Sequence, residues 1–192
     1  MNTRKKQAKL LRTFRKIHRY TGAFLFFFFL FVSLSGLLLG WKSNSFGTII
    51  PKTQVGTTED LSEWLPTEEL HNIAVLTLKD SIDPALSPVL DRIDIRQQKG
   101  VVKFVFENHI WEIQLDGATG EVLQVGKRHS DWLEDVHDGS IVDQFFENQH
   151  GQFKLFYTTT MGIALLVFTI TGFWMWYGPK RMRRQTRKHT NF

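Results

Sequence analysis

Residues 21–41, TGAFLFFFFLFVSLSGLLLGW, carry no charged side chain, and neither do residues 155–177, LFYTTTMGIALLVFTITGFWMWY. At about 1.5 Å of rise per helical residue, each run is long enough to cross a hydrocarbon core of roughly 30 Å. The first run follows a basic segment, as a secretory signal would. Its apolar stretch nevertheless exceeds the roughly 7–15 residues of a signal core, and Leu37-Leu38-Leu39-Gly40-Trp41 offers no small-x-small cleavage site. Two transmembrane helices, the first an uncleaved anchor, are therefore expected at 21–41 and 155–177.

Outward from the spans, the charges are unevenly shared. Residues 1–20 hold eight Lys and Arg and no acid, and residues 178–192 hold six and no acid. Between them, residues 42–154 contain ten Lys and Arg and all 19 acids of the chain. The net charge of +5 thus comes entirely from the two tails. Basic segments beside spanning helices remain in the cytoplasm. Both termini are placed there, residues 42–154 are extracytoplasmic, and the chain is a multi-pass protein of the inner (plasma) membrane whose first partner is the lipid bilayer. The basic balance reports orientation and gives no reason to expect a nucleic acid. Trp41 at one boundary, and Trp174, Trp176 and Tyr177 at the other, suit the interfacial level of a bilayer.

Within the spans, Phe24, Phe26–Phe29 and Phe31 wrap the whole helical cylinder and read as lipid-facing bulk. Gly22, Ser33, Ser35, Gly36 and Gly40 in the first span are smaller, as are Thr158–Thr160, Gly162, Thr169, Thr171 and Gly172 in the second. Small and hydroxylated residues let helices approach closely in lipid, so they predict a helix–helix interface or a flat wall for a planar ligand. With two spans per chain, a homodimer forming a four-helix bundle, or a larger membrane complex, is expected.

The region between the spans has its own periodicities. Residues 42–62, rich in Gly, Ser and Thr, read as a linker with room for one short strand. Leu65-Pro66-Thr67-Glu68-Glu69 starts a helix with Thr67 as N-cap, and Leu70, Ile73, Ala74, Thr77 and Leu78 continue it at helical spacing to about Lys79. After Pro88 the period becomes two. Val89, Ile93 and Ile95 alternate with Arg92, Asp94 and Arg96; Val101–Phe106 places Val102, Phe104 and Phe106 on one side; Ile110–Leu115 places Trp111, Ile113 and Leu115 there too. A turn at residues 116–120 and a last strand at residues 121–125 close a domain assigned to residues 63–127. One helix on one face of a small antiparallel sheet makes the whole chain a membrane α+β protein. A core of this size is marginal unless the membrane or a second copy covers it. Residues 128–154 then form an amphipathic membrane-surface segment, in which Trp132, Leu133 and Val136 make an apolar stripe that Gly139 ends.

These residues carry a resemblance. Residues 115–123, LDGATGEVL, with the helix and strands before them, resemble a PepSY domain. Arg15-Lys16-Ile17-His18-Arg19-Tyr20-Thr21-Gly22, Val136-His137-Asp138-Gly139 and Thr171-Gly172-Phe173-Trp174-Met175-Trp176 resemble, in order, the segments that flank the helices of the PepSY-associated transmembrane family, here in a short two-helix form. The resemblance implies a membrane component of iron acquisition. Larger members include inner-membrane reductases associated with siderophore iron uptake, to which haem binding through histidines is ascribed.

Histidine is where that implication meets the chain's chemistry. The absence of cysteine excludes thiolate zinc, iron–sulfur ligation and thiol catalysis. No glycine-rich flavin or nicotinamide fingerprint, nucleophile elbow, phosphate loop or His-Glu-x-x-His helix is present, and no ionisable group lies inside either span. His18 lies less than a turn before the first span, His137 ends the amphipathic segment, and His150 lies just before the second span. Each reads either as an ordinary surface histidine or as an axial ligand of haem b, with Asp135 or Asp138 able to fix the His137 tautomer. His71, His109 and His129 read as solvated. No histidine lies within the spans, so one haem cannot join the two membrane faces. Two haems stacked across a dimer remain, or none. Two functions follow: a haem-binding electron-transfer component, enzymatic only as part of a reductase, or a non-catalytic anchored binding protein whose sheet edge takes a peptide, a peptidase or an envelope partner.

Overall fold

The computed structural model describes residues 3–146 and 150–190. The extreme ends of the basic tails, 1–2 and 191–192, and residues 147–149 of the expected surface segment lie outside the described residues. The chain divides into two units. One is built from the residues up to Ser35 and from Val136 onward, the other from Gly36–Asp135.

The first unit is a pair of long helices. Helix α1 runs Thr3–Gly40 and helix α5 Gln152–Thr190, so the helices do not begin and end at the apolar boundaries but continue through the basic tails. Only 11% and 6% of their most apolar windows are buried. A long apolar helix in a soluble core would be mostly buried; these present their side chains outward, and lipid is the solvent that accepts them. The seam between the two is narrow. At Gly22 a Cβ would stand 2.9 Å from the Phe168 ring, and at Gly178 one would stand 3.2 Å from Leu11. Phe14 faces Trp174 at 6.2 Å, and Phe28 faces Tyr157 at 6.4 Å between ring centroids. Of the predicted small-residue interface, Gly22, Ser35, Thr171 and Gly172 belong to this seam. Ser33, Thr158–Thr160, Gly162 and Thr169 face outward. A short helix, α4 (Ser140–Phe145), supplies the cap of α5: the buried Asp143 carboxylate accepts the backbone N–H groups of Phe153 and Lys154 at 3.0 and 2.8 Å. An anion there satisfies orphan donors and the helix dipole together.

The second unit is an antiparallel sheet in the order β1 (Leu90–Arg96), β2 (Val101–Phe106), β3 (Trp111–Asp116) and β4 (Val122–Lys127). Helix α2 (Thr67–Ser81) packs Leu70, Ala74 and Leu78 onto Val102, Phe104, Phe106, Ile113 and Leu115, as the two periodicities require. Thr67 is the first residue of α2 rather than its cap; Pro66 takes the cap position, and its carbonyl accepts from Glu69 and Leu70. Between β1 and β2, Gly100 closes the turn with φ of 68°, a left-handed conformation that costs glycine little.

The sheet's other face departs from the expectation of a single covered side. Every residue of β2 is buried, including Lys103, because residues 49–58 lie across that face as an extended strap with no strand of their own. The strap is held by side chains and turns. The Gln114 amide donates to the Lys52 carbonyl at 3.0 Å and its oxygen accepts from the Gln54 N–H at 3.0 Å. The Gly56 N–H donates to the Lys99 carbonyl at 2.7 Å, and Asp116 accepts from both the hydroxyl and the N–H of Thr57. Residues 49–58 of the expected 42–62 linker therefore cover the sheet's polar face. Their polar pairing satisfies buried groups that alternation alone assigns to solvent.

Candidate functional site

A helix in lipid buries few side chains, so those it does bury are informative. Besides Gly178, the buried residues of α1 and α5 among the described side chains are Leu25, Ser35, Ala164 and Thr171. Two of these four are hydroxyls, and each lies against a histidine.

At one end of the pair, His18 Nδ1 lies 3.0 Å from Thr171 Oγ1. Its ring stacks on Phe168 with centroids 3.8 Å apart and lies beside Gly172, where a Cβ would meet His18 Cε1 at 3.4 Å, an ordinary contact distance. The Thr171 hydroxyl and the Phe168 ring thus form a seat for the imidazole, with Gly172 beside it. At the other end, helix α3 (His129–Asp138) ends at Gly139, whose φ is 84°. His137, in its last turn, lies with Nδ1 2.8 Å from Ser35 Oγ. Asp138 accepts from the Ser140 N–H and pairs with Lys154.

The two seats are built alike. Thr171 Oγ1 is 2.7 Å from the Val167 carbonyl and 3.0 Å from that of Phe168, and Ser35 Oγ is 2.8 Å from the Phe31 carbonyl and 3.3 Å from that of Val32. Neither His18 nor His137 has a protein partner at Nε2 among the described residues. Both rings are half-buried. Ser35 lies 17 residues along α1 from His18, so at about 1.5 Å per residue the seats are roughly 25 Å apart.

The remaining histidines are placed otherwise. His150 is exposed in the turn before α5. His71 stacks on Phe104 with centroids 5.9 Å apart, and His109 makes hairpin contacts, its Nδ1 accepting from the Trp111 N–H at 3.3 Å. No three His, Asp or Glu side chains converge as a metal cluster among the described residues.

A family model for the PepSY-associated TM region matches residues 15–192. The chain belongs to the PepSY-associated TM family. No curated protein and no solved structure matches the chain. The family match takes in both histidine seats and the whole of the sheet unit.

That sheet unit holds a buried charge network of which the strand alternation showed little sign. Glu112, fully buried, pairs with Lys103 at 3.3 Å and with Arg128. Arg128 also forks onto Asp131 at 3.0 Å, and Asp131 accepts from Arg92 at 2.7 Å. Burial pushes the Lys103 ammonium down, with its Glu112 partner pulling back. Burial would raise the Asp131 carboxyl, but the Arg128 and Arg92 guanidiniums hold it below the usual carboxylate range. Asp116 is held low in the same way, against its burial, by hydrogen bonds from Thr57, Thr119 and Ala118. Every charge in this network has a partner, so it reads as structure rather than as an acid or base awaiting a substrate.

Proposed function

We propose that this PepSY-associated TM protein is a haem-binding electron-transfer component of the inner membrane, linked to the reduction or uptake of iron. The observation that carries this reading is the pair of half-buried imidazoles, each hydrogen-bonded at Nδ1 and without a partner at Nε2 among the described residues. The donor set fits the group: neutral imidazole suits haem iron, the chain has no thiolate to compete, and the Phe168 face against His18 is apolar. Haem held at these seats supplies one-electron transfer. The chain's own part is to orient each ring, exclude water with the aromatic seam, and hold the two seats near opposite faces of the bilayer.

Each seat offers one histidine, and seats roughly 25 Å apart cannot ligate one iron together. A homodimer supplies the second ligand at each level, His18 meeting His18 and His137 meeting His137, with His150 as an alternative donor at the outer level. The orientation follows the basic tails, which lie in the cytoplasm, with the sheet unit outside.

The competing reading, a binding module that adds a peptide strand to its sheet, is less favoured. Of the two edge strands, β1 carries Arg92, Asp94 and Arg96 and a register shift between Leu90 and Arg92, devices that blunt strand addition at that edge. The deciding experiment is the visible spectrum of the full chain purified in mild detergent from haem-replete cells. A Soret band that is lost in part in His18→Ala and in His137→Ala is expected; a colourless wild-type protein sinks the haem reading and returns the binding module to first place.

A further inference from the structure

The two hydroxyls do more than fill the seam. A threonine or serine hydroxyl has one proton. In Thr171 the oxygen sits 2.7 Å from the Val167 carbonyl and in Ser35 2.8 Å from the Phe31 carbonyl, distances at which two oxygens repel unless a proton lies between them. The proton of each hydroxyl is therefore committed to its own helix. What the oxygen still offers the imidazole is a lone pair, so the nitrogen facing it must be the donor.

We propose that Thr171 and Ser35 are positioning residues: each accepts the Nδ1 proton of its histidine, fixes the ring as the Nδ1–H tautomer, and thereby presents the unprotonated Nε2 of His18 and of His137 as the ligand nitrogen. The proposal rests on the haem reading for what Nε2 binds, while the tautomer itself is a property of the protein alone. Most neutral imidazoles are oriented by a carbonyl or carboxylate acceptor; here a back-bonded helix hydroxyl takes that role, which a spanning helix can provide without burying a charge. The same logic explains why these two hydroxyls are buried while Ser33 and Thr169 face outward.

The test is made on the full chain in detergent at pH 8, with histidine nitrogen labelled. Nitrogen chemical shifts distinguish a protonated from an unprotonated ring nitrogen, and the signals are assigned by their loss in His18→Gln and His137→Gln. The expected wild-type result is Nδ1–H for both rings. Thr171→Val, which keeps the shape and removes the acceptor, releases His18 into a tautomer mixture and leaves His137 unchanged. Ser35→Ala does the converse, and Thr171→Ser and Ser35→Thr restore the wild-type shifts. An Nε2–H tautomer in the wild type, or unchanged shifts in Thr171→Val and Ser35→Ala, overturns the proposal.

Haem titration separates this from the parent reading. If the wild type binds haem, loss of the orienting acceptor weakens binding at the affected seat by about 10- to 100-fold, and the conservative variants recover it. Equal affinity in Thr171→Val and wild type overturns the positioning role. A wild type that binds no haem defeats the haem reading instead, and the nitrogen shifts then decide the positioning of the rings by themselves.

Discussion

The sheet unit and the helix pair treat buried polar groups in opposite ways. In the sheet unit, Lys103, Glu112, Arg128 and Asp131 are joined in one network, with the polar groups of Gln114 and Asp116 turned to the strap. In the helix pair, two hydroxyl–imidazole contacts stand nearly alone in an apolar seam, and each leaves one ring nitrogen uncommitted. Water-facing surface surrounds the sheet unit, so any unpaired charge inside would pay its full desolvation cost and closure of the network is favoured. Lipid surrounds the helix pair, where a polar group is retained for a purpose or is absent. Full pairing marks the charge network as structure, and the hydroxyl-held imidazoles mark the candidate site.

The largest expected effect comes from opening the closed network. Glu112→Gln leaves Lys103 and Arg128 buried without their shared carboxylate, and breaking one partner of a buried ionic group costs about 3–5 kcal/mol. Urea unfolding of the sheet unit, followed by tryptophan fluorescence, measures it; a loss below about 1 kcal/mol would mean that the network contributes far less than its burial implies. Next in size is Gly56→Ala. A Cβ there would lie 2.2 Å from the Gly100 carbonyl oxygen, so the strap must lift, at a cost of about 1–3 kcal/mol by the same measurement.

Acid should separate the two units. Asp116 and Asp131 both have folded pKa values below their unfolded ones, so their stabilisation is complete above about pH 4 and is lost as pH falls through the lower folded values. Circular dichroism between pH 5 and pH 2 should show the strand signal of the sheet unit failing while the helical signal of the membrane pair persists. Simultaneous loss of both would show that the helix pair depends on the sheet unit.

The smallest effect on stability belongs to the seats. Interhelical hydrogen bonds in membranes average roughly 0.6 kcal/mol, so Thr171→Val and Ser35→Ala should unfold within about 1 kcal/mol of the wild type in detergent. A much larger loss would place both hydroxyls with the structural network and blur the contrast between the units.

Strands β2 and β3 were readable because an alternation of period two survives in any context that buries one face. The polar face was not readable for the same reason: Lys103 and Glu112 stand at positions that the alternation assigns to water, and the strap that covers them pairs with side chains and so leaves no period in residues 49–58. Diagonal placement of Lys103 and Glu112 across the β2–β3 register, beside buried Val105, was the available signal. His18 and His137 were visible as candidates, but not their partners, since Asp135 and Asp138 lie nearest His137 in sequence and yet Ser35 holds its ring.

Composition and order alone determined the two spans, the charge asymmetry of the segments around them, and the helix-on-sheet unit between them, because apolar length, charge bias and hydrophobic period are local properties that act wherever the chain is placed. Tertiary structure decided which hydroxyl meets which imidazole and which charges are buried together. Those pairings join residues 153 positions apart at His18 and Thr171 and 102 apart at Ser35 and His137. They exist only after helix packing has brought the two ends of the chain to the same depth.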